Sequence, residues 1–518
     1  MVKVQKQNKK GESMGTGTSA YTHGTHYSYD IHGNVKELIQ DNPSLAGITP
    51  SQQYKKINYE YDLISANVNA VHYQNGQPDR FHHRYLYDDD NRLHNVFTSK
   101  DGEIWDQDAK YFYYKHGPLA RTELGHDKVQ AMDYAYTIQG WIKGVNSDAL
   151  KATNDMGKDG EESFSNKNNL IARDAFGYSL GFFNGDYSAI GGASANNFIA
   201  SAAASDLINS RFDLFNGNIG HMVTTITNPT NGQAMYNGMG YKYDQLNRIK
   251  EAKGFNNLNV GTNAWGNTGS YNGRYQQDFS YDANGNILSA FVKNDAGTTI
   301  DDQTYHYQTI SGQRTDNRLY TITDAAVQTG GFDLLSQAAF DNNNTANNNY
   351  GYSEIGELKK DLSDDIAEIK RRTDGKITEV LRPAGSPKEN LRFNYDVGGS
   401  RIAKHKYSSA NVWIESEYYV RDPQNNILST YKQTPSGFTQ TEKHIYGSSH
   451  IGMDVTPADM LNPPVATNKF MRAPGNKRYS GSNHLGNDLV IFTDRKIGID
   501  DNSDGTVDYY TADIVSSK

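Results

Sequence analysis

The chain has 518 residues, a net charge of −9 and no cysteine. The absence of cysteine excludes disulfides, thiolate metal sites and cysteine catalysis, and the acidic balance argues against a nucleic-acid partner. No run of about 18 apolar residues is present, so no membrane-spanning helix is predicted. With 36 Tyr, 48 Gly and only 36% hydrophobic residues, the composition predicts many short strands joined by tight turns.

The N-terminal lead-in, residues 1–26, starts with a basic stretch, Met1–Lys10, that no apolar segment follows. It therefore lacks the pattern of a signal peptide. The chain stops soon after a strand-like segment at its C-terminal end. We expect both ends to be cuts through a longer polypeptide.

From Tyr27 onwards one unit recurs: an aromatic residue, any residue, Tyr-Asp, two residues, Gly or Asn, and then polar and aliphatic residues. Its copies are Tyr27–Val35, Tyr85–Leu93, Tyr241–Ile249, Phe279–Ile287 and Phe393–Ile402, with a copy one residue longer at Tyr59–Val68. Degenerate copies lie at Tyr113–Leu119, Tyr134–Ile142 and Tyr350–Leu358. The spacing of 26 residues between Tyr61, Tyr87 and Tyr113 indicates a repeat architecture.

Each unit has the chemistry of a β-hairpin. The two aromatic residues, at i and i+2, share one face of a strand, and the Asp that follows can accept hydrogen bonds from backbone N–H groups to start a turn. Three residues later comes Gly or Asn, which tolerate the positive φ of a tight hairpin. These aspartates are therefore interpreted as turn formers and not as catalytic groups.

Two stretches interrupt the repeat, at about 146–240 and at 330–349, the second of which contains the Asn-rich run Asp341–Asn349. We interpret both as elaborations on one continuous sheet. The small-residue segment from Ala200 to Ile208 is the one place where a short helix is expected.

The repeated units resemble the YD repeats of bacterial Rhs proteins, which are related to the repeats of insecticidal toxin-complex cages and of teneurins. A second resemblance is Asn483-His484-Leu485-Gly486, which is similar to the Asp-His-Leu-Gly motif that opens the Rhs-associated core, with Asn483 in place of Asp. The resemblance implies a YD-repeat shell over 27–478 and the start of the core over 479–518.

In that family the repeats wind as a spiral β-sheet into a hollow shell around a C-terminal toxin. The resemblance thus implies an all-β chain in an open shell, a secreted or cell-surface location, a toxin cargo outside this chain and contact with secretion machinery. The catalytic aspartates that release the toxin are expected beyond Lys518, so no enzyme activity is expected here. The alternative is an adhesion module that binds a cell-surface glycan or a protein.

One segment has the oxygen-ligand spacing of a calcium loop. Asp500, Asn502 and Asp504 occupy positions 1, 3 and 5, Gly505 occupies position 6, and Thr506 and Asp508 follow. Position 12 is Thr511 instead of Glu, and the flanks predict strands, which contradicts a full EF-hand. The alternative to calcium is a polar hairpin turn rich in Asp and Asn.

No other site is predicted. The histidine groups His23/His26, His82/His83 and His444/His450 lack the ligand set and spacing of zinc sites. The chain has no nucleophile elbow and no P-loop, and Gly238-Met-Gly240 lacks the third glycine of a dinucleotide site.

Overall fold

A computed structural model describes residues 2–8, 21–161, 168–190, 197–202, 215–255, 258–265, 273–326, 337, 339–463 and 471–517. Of the residues that the model describes, 52% are in strands and 3% in helices, so the predicted all-β fold class is confirmed. Most of the segment in which a helix was expected, 203–208, lies outside the described residues. Ala202, just before it, forms an isolated bridge with Ala264.

The chain divides into two compact units. The first comprises Met1–Val129, Lys370–Ser480 and Phe492–Lys496, and the second comprises Gln130–Ile369, Gly481–Ile491 and Ile497–Lys518. No described helix has the length and apolar character that crossing a bilayer requires.

The first unit contains two antiparallel sheets, in each of which nearly every strand pairs with the next one along the chain. The first sheet consists of β1 (Val2–Asn8), β2 (Tyr21–Tyr29), β3 (Val35–Asp41), β4 (Tyr54–Tyr61), β5 (Val68–Tyr73), β6 (Phe81–Tyr87), β7 (Leu93–Ser99), β8 (Asp106–Tyr113) and β9 (Leu119–Leu124). A short helix, α1 (Pro43–Ala46), and a 3-10 turn at Pro50–Gln52 follow β3.

The second unit continues the same pattern. Its strands are β10 (Gln130–Tyr136), β11 (Ile142–Val145), β12 (Phe176–Gly181), β13 (His221–Thr227), β14 (Ala234–Tyr243), β15 (Ile249–Phe255), β16 (Leu258–Asn259), β17 (Ala264–Trp265), β18 (Gln277–Tyr281), β19 (Ile287–Lys293), β20 (Thr299–Ile310), β21 (Gln313–Asp324), β22 (Tyr350–Tyr352) and β23 (Leu358–Asp361). Strands β10–β15 and β18–β21 form one antiparallel succession, whereas β16–β17 and β22–β23 are separate hairpins. Two 3-10 turns lie at Ala152–Asn154 and Thr345–Asn347.

The remaining strands belong to the C-terminal part of the chain. They are β24 (Glu368–Arg371), β25 (Ile377–Leu381), β26 (Asn390–Tyr395), β27 (Arg401–Tyr407), β28 (Trp413–Arg421), β29 (Ile427–Thr434), β30 (Gly437–Tyr446), β31 (His450–Asp454), β32 (Ala458–Asp459), β33 (Lys477–Ser482), β34 (Asp488–Ile499) and β35 (Tyr509–Ser517). Strands β25–β31 and β33 supply the second sheet of the first unit, and β32 pairs with β30 at its side.

The hairpins have one geometry, which the copy at Asp88 illustrates. The Asn91 N–H donates to the carbonyl of Asp88 (2.9 Å), and the Asp88 N–H donates to the carbonyl of Arg92 (2.9 Å). Asn91 has φ +60°, and the strand register shifts just before Tyr87. This is a type I turn followed by a left-handed residue and a bulge.

The residues predicted to need positive φ have it. These residues are Gly33 (+90°), Asn91 (+60°), Asn247 (+63°), Gly285 (+93°) and Gly399 (+82°). The predicted hairpin register is therefore confirmed in five separate copies. The degenerate copies fold alike, since Gly117, Gly140 and Gly356 also have positive φ.

Buried apolar side chains occur in both units. In the second unit, Ala149, Val223, Phe255, Leu258 and Trp265 pack together with Tyr236 at the side. In the first unit the two sheets pack on each other through β5, β6 and β8 on one side and β29, β30 and β33 on the other. Much of that contact is polar.

Candidate functional site

The repeated aspartates hold their own turns. Asp88 Oδ1 accepts hydrogen bonds from the backbone N–H groups of Asp90 (3.0 Å) and Arg92 (2.9 Å), and Asp88 Oδ2 accepts one from Arg92 Nε (2.8 Å). Asp244 repeats all three bonds with Leu246 and Arg248. The hydrogen bond from the backbone N–H of Arg248 lowers the pKa of Asp244 more than any other contact does. The carboxylates thus act as ionised turn formers.

The residue four places after the Asp completes this arrangement. Where it is Asn, as in Asn34, Asn286 and Asn426, its side-chain amide donates to the other carboxylate oxygen at 2.8–3.0 Å. Arg does the same through Nε. This bond explains why the residue just before the second strand of a hairpin is so often Asn or Arg.

In nine hairpins of the described chain, the tyrosine at or near the end of the first strand makes a bond that the sequence does not reveal. Its phenol donates to the carbonyl of the first residue of the second strand in the preceding hairpin. The pairs are Tyr61–Val35, Tyr87–Val68, Tyr113–Leu93, Tyr243–Ile219, Tyr281–Ile249, Tyr307–Ile287, Tyr352–Leu319, Tyr395–Ile377 and Tyr446–Ile427, at 2.6–3.0 Å. For the Ile219 and Leu319 pairs, the acceptor lies next to or inside a strand instead of at its first residue. We call these nine bonds the tyrosine rungs.

A tyrosine rung adds one hydrogen bond beyond the last backbone pair between two neighbouring strands. Between β7 and β8 the paired register ends at Asn95 and Lys110, two residues before Leu93 is reached. The carbonyl of Leu93 then accepts from Tyr113 at 2.7 Å. A carbonyl at the end of a sheet ladder needs a partner or water, and the tyrosine rung supplies the partner.

The Asn483-His484-Leu485-Gly486 motif forms the same turn as the repeats. Asn483 Oδ1 accepts from the N–H groups of Leu485 (2.9 Å) and Asn487 (3.0 Å), and Gly486 has φ +80°. An amide oxygen accepts these bonds as a carboxylate would. The Asn at the position of the Asp therefore preserves the turn, and burial lowers the pKa of His484 beside it.

The predicted calcium residues form an exposed loop between β34 and β35. Asp500 accepts from the N–H groups of Asp504 (3.1 Å) and Gly505 (2.8 Å), and Asp504 accepts from the N–H of Thr506 (2.8 Å). Asp508 Oδ1 accepts from Asn502 Nδ2 (3.2 Å). The side chains thus serve one another and the backbone, as in a polar turn, and calcium binding at this loop stays a prediction.

The rings of the histidine groups contact other histidine rings or backbone carbonyls. His72 and His82 face each other through their Nδ1 atoms (2.9 Å), and His83 Nε2 lies 3.0 Å from the carbonyl oxygen of His444. Burial lowers the pKa of both His82 and His83 to about 4. The rings of His82 and His83 are therefore neutral at pH 7.

Two buried polar centres in the first unit escape sequence reasoning. In the first, Lys55 Nζ donates to Asp79 Oδ2 (2.5 Å), Tyr431 OH donates to the same oxygen (2.5 Å), and the phenols of Tyr73 and Tyr431 lie 2.5 Å apart. Burial alone would raise the pKa of Asp79, but the ammonium of Lys55 lowers it. Burial in turn lowers the pKa of Lys55. A buried, hydrogen-bonded Lys–Asp pair therefore sits between the two sheets.

The second centre is also built around a lysine, an aspartate and a tyrosine. Asp108 accepts from Lys477 Nζ (2.6 Å), Tyr479 OH (2.8 Å) and Thr98 Oγ1 (2.6 Å). Burial lowers the pKa of Lys477, and the carboxylates of Asp108 and Asp106 reverse that and raise it. In both centres the bonded residues lie more than 350 positions apart in the chain, so the centres fasten one sheet of the first unit to the other.

Comparison with known proteins reveals a relationship in fold alone. No family model matches the chain, and no curated protein matches it. Among solved structures, the crystal structure of TcdB2-TccC3 without its hypervariable C-terminal region matches over 95% of this chain with a TM-score of 0.54 and 12% identity. The TcdB2-TccC3-Cdc42 structure matches over 96% with a TM-score of 0.54 and 11% identity.

The chain has the fold of these Tc toxin components. It spans about a fifth of their length, 20% and 21% respectively. The resemblance to toxin-complex cages that the repeats predict is thus supported at the level of fold.

Proposed function

We propose that this chain is a wall segment of an Rhs-type shell that encloses a toxic effector and delivers it. The observation that carries the proposal is the fold match to TcdB2-TccC3 over 95% of the chain, together with a hairpin unit repeated from Tyr27 to Ile402. A Tc toxin context is the coarse statement that this likeness supports. The enclosure of an effector is the finer, proposed step.

The arrangement of the sheets suits a wall. Each hairpin is closed by its own Asp turn and tied to the preceding hairpin by a tyrosine rung, for example Tyr281 to Ile249 at 2.7 Å. Stability in a repeat protein is the sum of such local and nearest-neighbour terms. A sheet held in this way needs less apolar core than a globular domain, in agreement with the low hydrophobic content of 36%.

In this proposal the segment performs no chemistry. The aspartates that could act as acids or bases in the repeats are engaged in turns, as at Asp88 and Asp244. The effector, its release and its contact with secretion machinery belong to other parts of a longer, secreted or surface-exposed protein.

The test is protease protection of the natural gene product that carries this segment. The complete protein is treated with proteinase K, and the survival of the region downstream is compared with that of the same region expressed alone. Protection of the downstream region supports enclosure. Digestion at the rate of the free region contradicts it, and binding of this chain to a glycan array would then favour the adhesion module.

A further inference from the structure

Three aspartates in the second unit meet below the surface, two of them in the stretch where the repeat fades. Asp133 lies on β10, and Asp155 and Asp159 follow the 3-10 turn Ala152–Asn154. One carboxylate oxygen of each lies within 4.8 Å of the other two. Their exposures are 7%, 3% and 3%, so all three carboxylates are withdrawn from water. We call these residues the Asp155 cluster.

Backbone contacts fix where the three carboxylates lie. Asn146 bonds to both sides of Asp133: its side-chain oxygen accepts from the Asp133 N–H (2.8 Å), and its own N–H donates to the Asp133 carbonyl (2.9 Å). The Asp155–Asp159 segment closes on itself, because Asp155 Oδ2 accepts from the Asp159 N–H (3.1 Å). Lys158, between them, has φ +55°. This is a backbone conformation that residues other than glycine rarely adopt.

One oxygen of the cluster has no hydrogen-bond donor. Asp155 Oδ1 is buried and without a partner within the described part of the chain. A buried carboxylate oxygen without a partner is costly. The ammonium of Lys158 is close, but it donates to the carbonyl of Thr153 (2.7 Å). A cation placed between the carboxylates would give Asp155 Oδ1 the partner that it lacks.

We propose that the Asp155 cluster binds a calcium ion. Ligand oxygens lie about 2.4 Å from Ca²⁺, so two of them can be as far as about 4.8 Å apart across one ion. The three carboxylate oxygens meet that limit. An all-oxygen site selects a hard cation, and burial favours Ca²⁺ over Mg²⁺, which gives up its water reluctantly.

This inference does not rest on the proposed function, and it differs from the calcium prediction for the exposed Asp500 loop. The two sites can be separated by variant. Asp155→Asn keeps the shape of the side chain and removes the charge, whereas Asp504→Ala alters only the exposed loop and serves as the matched control.

The experiment is calorimetric titration of the metal-free full chain with CaCl₂, with MgCl₂ in parallel. We expect one calcium event that Asp155→Asn weakens at least about 100-fold, in line with the loss of a metal ligand, and that Asp504→Ala retains. Calcium at about 100 times Kd should raise the melting temperature by roughly 5 °C. The proposal is overturned by no binding up to about 5 mM Ca²⁺, the weak end of known calcium sites, by an unchanged titration of Asp155→Asn, or by equal binding of Mg²⁺.

Folding of the variant is checked in EDTA, where Asp155→Asn should melt at or above the wild-type temperature because it removes a buried unpartnered charge. Should the variant fail to fold, hydrogen exchange of the wild type decides. Calcium should then slow amide exchange within 151–160. Slowing confined to 500–508 would overturn the proposal.

Discussion

Replacement of two neighbouring tyrosines tests whether the tyrosine rungs stabilise the sheet. Tyr59 and Tyr61 lie two residues apart on β4, with stacked rings whose centroids are 6.2 Å apart. The phenol of Tyr61 donates to the carbonyl of Val35 at 3.0 Å. The phenol of Tyr59 is buried without a hydrogen-bond partner among the described residues. The same change to Phe therefore removes a bond at one position and an unsatisfied hydroxyl at the other.

The expected effects have opposite signs. Tyr61→Phe should lower the free energy of unfolding by about 1 kcal/mol, the net value of one hydrogen bond. Tyr59→Phe should leave it unchanged or raise it by up to about 1 kcal/mol, because a buried hydroxyl without a partner is removed. Burial raises the pKa of Tyr59, which agrees with its unfavourable surroundings for a polar group.

The assay is urea denaturation followed by far-UV circular dichroism. A combined Tyr61, Tyr87 and Tyr113 to Phe variant should lose about 3 kcal/mol, because rungs two strands apart are separated by roughly 10 Å and independent sites add. Equal shifts for Tyr59→Phe and Tyr61→Phe, or a smaller shift for Tyr61→Phe, would refute the reasoning that the phenol matters and not the ring.

Three further predictions concern the turns, the histidines and the exposed loop. Gly285→Val should lower the thermal midpoint more than Ala283→Val does, because Gly285 has φ +93°. The first carbon of a side chain there would meet only Arg248 Nη1, at an ordinary contact distance of 4.0 Å, so the strain of about 1–3 kcal/mol comes from the backbone; coinciding melts would contradict the register. His82 and His83 have a pKa of about 4 in the folded chain and about 6.5 when unfolded, so the unfolded state binds protons first and stability should fall as the pH drops from about 6.5 to 4. Urea midpoints across that range should decline less in the His82→Gln, His83→Gln double variant, and an identical decline would exclude these rings as its cause. If the Asp500 loop binds calcium, EDTA should lower the melting temperature, and Asp504→Ala should remove the part of that decrease that comes from this loop; a decrease that persists unchanged in Asp504→Ala counts against calcium at this loop.

The hairpins could be predicted from sequence because the information is local. Asp88, Asn91 and Arg92 lie within five residues, and each residue type has a preference that needs no distant partner: Asp for accepting N–H bonds, and Asn for the left-handed conformation. The copies at Gly285 and Gly399 repeat the same preference. Repetition of a local signal in register made the strand order predictable as well.

The buried polar centres could not be predicted in the same way. Asp79 and Tyr431 are 352 residues apart, and nothing near either of them indicates the other. A weak signal does exist, because Lys55 alternates in phase with the buried Ile57 on β4, and Lys477 with Tyr479 on β33. A lysine on the inward face of a strand indicates a buried partner, but it does not identify which carboxylate that partner is.

The tyrosine rungs also explain a pattern inside the repeat. The first aromatic position of the six clearest copies is Tyr in four and Phe in two, Phe279 and Phe393. The second position is Tyr in all six: Tyr29, Tyr61, Tyr87, Tyr243, Tyr281 and Tyr395. Stacking and burial would accept Phe at either place, since both rings lie on one face of the strand. Among the described residues of these copies, the hydroxyls that bond to a backbone carbonyl are at the second position, as in Tyr281 with Ile249 and Tyr395 with Ile377. The hydroxyl is therefore the feature that this position requires, and the 36 tyrosines of the chain reflect in part the need to end each ladder of backbone bonds with a donor.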